Sequence, residues 1–199
     1  MEPVSFTTDR LLMRTVGPQD TDAVYEAVQD PDIQRWTTIP SPYLYEHAHS
    51  FTHQLVPEGW GDGSMFTWGL FLREGEDLAG MLGLTMRSMS GAEIGFWGTK
   101  EHRGNGYVTE AVLTASRWAF VHLAIDRVEW RAEVGNVPSR AVATRAGFTL
   151  EGTLRSGIVN QGVRRDCWVG SLLPSDLGLS STAPYLPART PSTPPGAEG

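Results

Sequence analysis

Between the apolar run Ile94-Gly95-Phe96-Trp97 and a long helical pattern lies Arg103-Gly104-Asn105-Gly106-Tyr107-Val108, and this junction restricts the chain to few folds. It reads as strand, glycine loop, helix. Glycine permits a tight bend, and a helix start presents unpaired backbone N–H groups with a partial positive charge. Such a corner suits a phosphate or pyrophosphate, so a protein that holds a phosphorylated cofactor is the first expectation. A P-loop is excluded, because no Gly-Lys-Ser/Thr follows. A Rossmann site fits poorly. Gly104 and Gly106 give Gly-x-Gly, and Glu129 stands on the next strand as a ribose ligand would, but Thr109 holds the third glycine place. The loop also follows strands of antiparallel pattern instead of opening a strand-helix-strand unit.

The pattern around this junction is mixed. Strands are expected at Arg10–Arg14, Phe66–Leu72, Leu78–Met86, Ala92–Trp97, Asp126–Val134, Phe148–Leu154 and Arg164–Leu172. Helices are expected at Asp20–Gln29, where Asp30-Pro31 stops the run, and at Pro42–Val56. Two more are expected at Tyr107–His122, with an apolar stripe at helical spacing, and at Pro138–Ala146. This gives an α+β domain with about seven strands in a mixed, mostly antiparallel sheet, flanked by about four helices. The domain is expected over residues 1–173. From 174 to 199 the composition shifts to Pro, Ser, Thr, Gly and Ala, and six of the 13 prolines fall there, so a flexible tail is expected.

The chain has 199 residues and a formal charge of −7. That balance argues against a nucleic acid partner and weakly favours cationic substrates such as amines. The lone cysteine, Cys167, cannot form an internal disulfide, which points to a reducing compartment. With neither a membrane-length apolar run nor a signal peptide pattern, a cytoplasmic protein without a membrane partner is expected.

Four features occur in fixed order: Arg10-Leu11-Leu12-Met13-Arg14 with Pro18-Gln19-Asp20, then the glycine loop, then Asn136 with Ser139, then Ala146-Gly147-Phe148. This ordered set resembles the GNAT superfamily of acetyl-coenzyme-A-dependent N-acetyltransferases, and most of all its ribosomal-protein N-terminal acetyltransferase (Rim-type) branch. The resemblance covers about residues 8–172. It implies a GNAT-like sheet whose fourth and fifth strands run parallel and splay apart. It also implies that backbone amides from Arg103 through Gly104, Asn105, Gly106, Tyr107 and Val108 cradle the pyrophosphate of acetyl-CoA. Val108 departs from the small residue usual at the end of that loop. Phe96 and Trp97 would pair with the pantetheine arm as an added strand does, Asn136 would hydrogen-bond the arm, and Ser139 would lie near the thioester sulfur. Homodimers are common in this fold.

A primary amine with a pKa of about 10 must lose a proton before it attacks a thioester. Backbone N–H groups can stabilise the oxyanion that forms, and direct attack needs no nucleophilic cysteine. Many members of the superfamily carry a tyrosine acid where this chain has Ala143, so Ser139 is the substitute candidate. For the base, Glu93 on the strand leading to the loop is the first candidate and Glu133 the alternative. The expected activity is acetyl transfer to a primary amine, either a protein N-terminus or a small molecule. A non-catalytic acyl-CoA-binding or sensing module on the same fold is the alternative. No metal site is expected: His49 and His53 share a helical spacing but lack the intervening Glu of a zinc protease. Trp36, Tyr43, Tyr45, Trp60 and Trp68 are candidates for either a pocket wall or core.

Overall fold

The computed structural model describes residues 1–88 and 90–188. One eight-stranded sheet organises it, in the order β1-β2-β3-β4-β5-β6-β8-β7. The strands are β1 (Phe6–Thr7), β2 (Leu11–Arg14), β3 (Met65–Leu72), β4 (Leu78–Ser88), β5 (Gly91–Gly98), β6 (Arg127–Glu133), β7 (Thr149–Asn160) and β8 (Val163–Leu172). Every neighbouring pair is antiparallel except β5 with β6. The parallel pair needs a crossover, which α5 (Tyr107–His122) supplies.

The other helices are α1 (Thr21–Val28), α2 (Pro31–Trp36), α3 (Tyr45–Ser50), α4 (Val56–Asp62) and α6 (Val137–Arg145). A π-helical turn, Phe51–Leu55, joins α3 to α4. Pro57 lacks an N–H and would clash with the carbonyl four residues back in a regular helix, and the wider turn just before it relieves that conflict. The helix expected at Pro42–Val56 therefore starts later and runs on to Asp62. Helix α2 was not expected at all. Asp30 caps it by accepting from Asp32 N–H at 2.9 Å, and Pro31 opens it. The pair read as a stop is also a start.

Side-chain alternation fixes the two sheet faces. Trp68 of β3 meets Trp60 of α4 with ring centroids 5.1 Å apart and Trp118 of α5 at 5.4 Å. Trp60 donates its Nε1–H to Thr67 O and Trp68 donates its own to Val4 O, so both buried indoles are satisfied. They form core, as does buried Tyr43, while Tyr45 lies exposed and donates its hydroxyl to Asp22. Registers Trp68↔Leu82, Leu84↔Ile94 and Ile94↔Trp130 carry this face across the sheet. Glu93, paired with Glu129, therefore lies on the opposite face.

The segment after β8 does not leave the body at 174. Residues Pro174–Leu177 form a 3-10 turn, Leu177 and Leu179 pack on the core, and Asp126 accepts from the Thr182 and Ala183 backbone N–H groups at 2.7 and 3.1 Å. The expected tail from 189 onward lies outside the described residues. Among the described residues no helix is long and apolar enough to cross a membrane.

Candidate active site

The parallel pairing of β5 with β6 covers only four positions, from Gly91↔Arg127 to Ile94↔Trp130. Beyond that point each strand follows its outer neighbour. Gly98 still pairs with Gly80 of β4, and Glu133 with Cys167 of β8. The two strands thus diverge into a fork, with Gly95 exposed on one arm. A Cβ built on Gly95 would meet no atom within 4 Å, so the sheet face that carries Glu93 is open beside the divergence. Thr99 N–H bonds to Ala79 O. By the period of two, the backbone groups of Phe96 and Gly98 then turn into the fork while those of Trp97 turn back toward β4. Such an edge can pair with an extended chain.

The glycine loop closes the wide end of the fork. Gly104 and Gly106 take φ of +82° and +80°, a region that side-chain-bearing residues rarely adopt. Gly106 is the residue before α5 and has no side chain with which to cap it, which leaves the first-turn N–H groups available. Two arginines fasten the loop, Arg10 from the β2 side of the chain and Arg103 from within the loop itself. Arg10 donates Nη1–H to Asn105 O and Nε–H to Glu110, each at 2.7 Å, and its guanidinium lies 4.7 Å from the centre of the Tyr107 ring. Burial pushes the Glu110 pKa up, but hydrogen bonds from Thr8 and Arg10 outweigh it and hold the carboxyl below its ordinary value. Arg103 donates Nε–H to Gly98 O at 3.1 Å, Nη1–H to Asp32 at 3.1 Å and Nη2–H to Asp30 at 2.5 Å. It thereby ties the loop to the start of α2. The Asn105 side chain donates back to His102 O at 3.2 Å. Val108 is packed on the core, and its Cγ2 would be 3.4 Å from a Cβ on Gly98. The branched side chain is thus turned toward β5, and only its backbone belongs to the loop.

On the other arm of the fork β6 runs into α6. Buried Asn136 caps that helix, its side-chain oxygen accepting from Ser139 N–H at 3.2 Å. Ser139 Oγ accepts from the indole Nε1–H of Trp130 at 3.0 Å. Ala143 is buried on the same helix.

The opposite face of the sheet is charged. Glu93 pairs with Arg87 at 3.1 Å and reaches Arg131 at 4.0 Å. Glu133 is almost wholly buried and takes two bonds from Arg35 of α2, at 2.9 and 2.7 Å. Arg35 holds the Glu133 pKa below its ordinary value against the opposing effect of burial. A carboxylate so committed is a poor proton acceptor, so the geometry leaves Glu93 the freer of the two.

The sequence reading also missed α2 as a wall of the site. Its Trp36 ring would be 3.8 Å from a Cβ on Gly135, beside the Asn136 cap. The hairpin tip between β7 and β8 latches on: the Asn160 side chain donates to Arg35 O at 2.9 Å and that of Gln161 to Gln34 O at 3.2 Å. Of the five aromatics considered, Trp36 alone lies at this wall. The local signals were the Asp30 cap and Pro31; the long-range partners had none.

An acetyltransferase (GNAT) domain matches residues 10–149. The uncharacterized N-acetyltransferase p20 of Bacillus licheniformis is 26% identical over 168 residues, covering 83% of this chain and 94% of that protein. Two solved structures share the fold. RimJ of Mycobacterium smegmatis, in complex with a coenzyme A disulfide, aligns with a TM-score of 0.77 at 21% identity over 90% of this chain and 93% of that one. The ribosomal-protein-S5-alanine acetyltransferase of Vibrio fischeri aligns at 0.75 and 19% identity over 85% and 96%. With its family domain spanning both the fork and the glycine loop, the chain belongs to the GNAT acetyltransferases.

Proposed function

We propose that this acetyltransferase moves an acetyl group from acetyl-CoA to a primary amine by direct attack, with a protein N-terminus as the preferred acceptor class and small-molecule amines as the other. The observation that carries the reading is the divergence of β5 from β6 after four paired positions, with the glycine loop and the uncapped start of α5 following β5. The residues fit the group. Gly104 and Gly106 take the positive φ that turns the loop into the start of α5, where backbone N–H groups are available, and the fork offers a strand edge to an amide-bearing arm.

Bound there, acetyl-CoA supplies an activated thioester whose carbonyl carbon accepts the amine. The loop from Arg103 to Val108 would hold the pyrophosphate, with Phe96 and Asn136 along the arm; the backbone of Trp97 faces β4 and is not free to pair with the arm as the resemblance implied. Glu93 would take the proton that the amine releases, directly or through water, on the face where the acceptor arrives. Ser139 would hydrogen-bond the departing sulfur. Helix α2, with Trp36, would wall the acceptor side. The Rim-type motifs favour a protein N-terminus as the acceptor.

Isothermal titration with acetyl-CoA, with NAD as control, tests the cofactor. Micromolar binding of the first and none of the second is expected, and absent acetyl-CoA binding overturns the reading. Mass-spectrometric acetylation of an amine panel, containing N-terminal peptides and small amines, then tests transfer. Binding without transfer to any member would favour a sensing module.

A further inference from the structure

Trp130 is buried on β6, directly opposite Gly170 of β8. A Cβ on Gly170 would meet Trp130 Cε3 at 3.4 Å and Thr149 O at 2.9 Å, so the glycine leaves the room that the indole occupies. The ring presents Nε1–H to Ser139 Oγ at 3.0 Å. An indole nitrogen can only donate, so the hydroxyl oxygen accepts. Near the start of a helix a serine hydroxyl commonly turns back on a backbone carbonyl. Among the described residues Ser139 does not: its Oγ–H donates to no protein group, while its backbone N–H is pinned by Asn136. One lone pair is taken, the backbone is fixed, and the proton remains for a ligand.

We infer that Trp130 is a positioning residue: its indole N–H holds Ser139 so that the hydroxyl proton points at the sulfur of bound coenzyme A. The inference rests on the acetyl-CoA reading above and adds to it the means by which a serine serves where other members use a tyrosine. In the transfer, the amine nitrogen bonds to the carbonyl carbon, the carbon–sulfur bond breaks, and the electron pair goes to sulfur. The nitrogen gives up one proton to the base. The hydrogen bond from Ser139 stabilises the negative sulfur until it is protonated.

The test titrates the thiol of bound coenzyme A by its ultraviolet thiolate absorbance, subtracting the free protein so that Cys167 cancels. In Trp130→Phe the bound thiol should ionise at higher pH than in the unaltered protein, as it should in Ser139→Ala. The double variant should show no further shift. In acetyl transfer, kcat should fall about fivefold in Trp130→Phe, the worth of one neutral hydrogen bond, with KM for acetyl-CoA unchanged. Replacing Trp130 with benzothienylalanine keeps the ring volume and removes only the N–H, and it should reproduce the shift should Trp130→Phe fail to fold. An unshifted titration in a folded Trp130 variant overturns the inference. So do shifts that add in the double variant, because Trp130 would then act without Ser139. An unshifted Ser139→Ala overturns it by removing Ser139 from the sulfur, while coenzyme binding by the unaltered protein leaves the acetyl-CoA reading standing.

Discussion

The guanidinium of Arg35 meets the carboxylate of Glu133 as a fork, Nη1 to Oε2 at 2.9 Å and Nη2 to Oε1 at 2.7 Å, and so fastens α2 to the end of β6. The Arg35 carbonyl also receives the Asn160 side chain. Helix α2 is thus held to the glycine loop at one end through Arg103 and to the β7–β8 hairpin at the other. Arg35→Ala leaves Glu133 buried without its main donor, with Arg165 at 3.9 Å as the remaining cation. It should destabilise the fold by roughly 1–3 kcal/mol. It should also raise KM for the acceptor severalfold and leave KM for acetyl-CoA unchanged. Thermal melts and steady-state kinetics with each substrate varied check this; equal rises in both KM values would show that α2 does not belong to the acceptor side.

The two carboxylate candidates separate by the same geometry. Glu93→Gln should lower kcat by about a hundredfold, the scale of one general base, with acetyl-CoA affinity retained. Glu133→Gln breaks the charge of the Arg35 pair and should chiefly lower the melting temperature. Comparing the two variants by single-turnover acetylation and calorimetric melting decides. The larger rate loss in Glu133→Gln would reverse the assignment.

Gly106 takes φ +80°, where an added Cβ costs about 1–2 kcal/mol. The space itself is tolerable, since the nearest atom to that Cβ is Arg10 Nη2 at 3.6 Å. Gly106→Ala should therefore fold with a modestly lowered melting temperature. The loop amides it displaces should weaken acetyl-CoA binding about tenfold or more, as a loss of about 1.4 kcal/mol requires. Titration calorimetry checks this, and unchanged affinity would remove the loop from the pyrophosphate site.

How much of this was legible before folding depends on the range of the interaction. Helix α5 runs from Tyr107 to His122 as its stripe and the preceding glycine predict. The Asn136 cap on Ser139 spans three residues and lies within local reach. By contrast, Glu110 and Arg10 are 100 residues apart, and Arg35 and Glu133 are 98 apart, so no local period announces either pair. Strand β7 was expected to end at Leu154 but reaches Asn160, because irregular pairing between Leu154 and Ile158, with Ser156 at φ +56°, lets the strand resume after a break. Val108 looked like a defect in the loop only because its side-chain direction was invisible. Asp30-Pro31 carried a true signal for two opposite outcomes, and tertiary contacts through Arg103 and Asn160 favour the start of α2.

Acid should loosen the β6–β8–β7 corner first. Arg127 grips Glu151 at 2.8 and 2.6 Å and Ser171 adds a third bond, so Glu151 is pulled from an ordinary 4.5 down to about 2, with Arg127 the main cause. A carboxyl whose pKa is depressed by folding binds fewer protons folded than unfolded. Its stabilisation is whole above the unfolded value and drains away as pH falls from about 4.5 toward about 2. Glu133, lowered chiefly by its bonds from Arg35, shifts in the same direction, as does Glu129, where bonds from Arg127 and Arg131 overcome burial. Melting temperature should therefore fall steeply across that window. Glu151→Gln should cost about 1 kcal/mol or less at neutral pH, because the pair is partly exposed and screened by salt, and should flatten the acid slope. Melts at fixed ionic strength from pH 7 to pH 2 test this. An unchanged slope in Glu151→Gln would place the acid sensitivity on other carboxylates, Glu133 first among them.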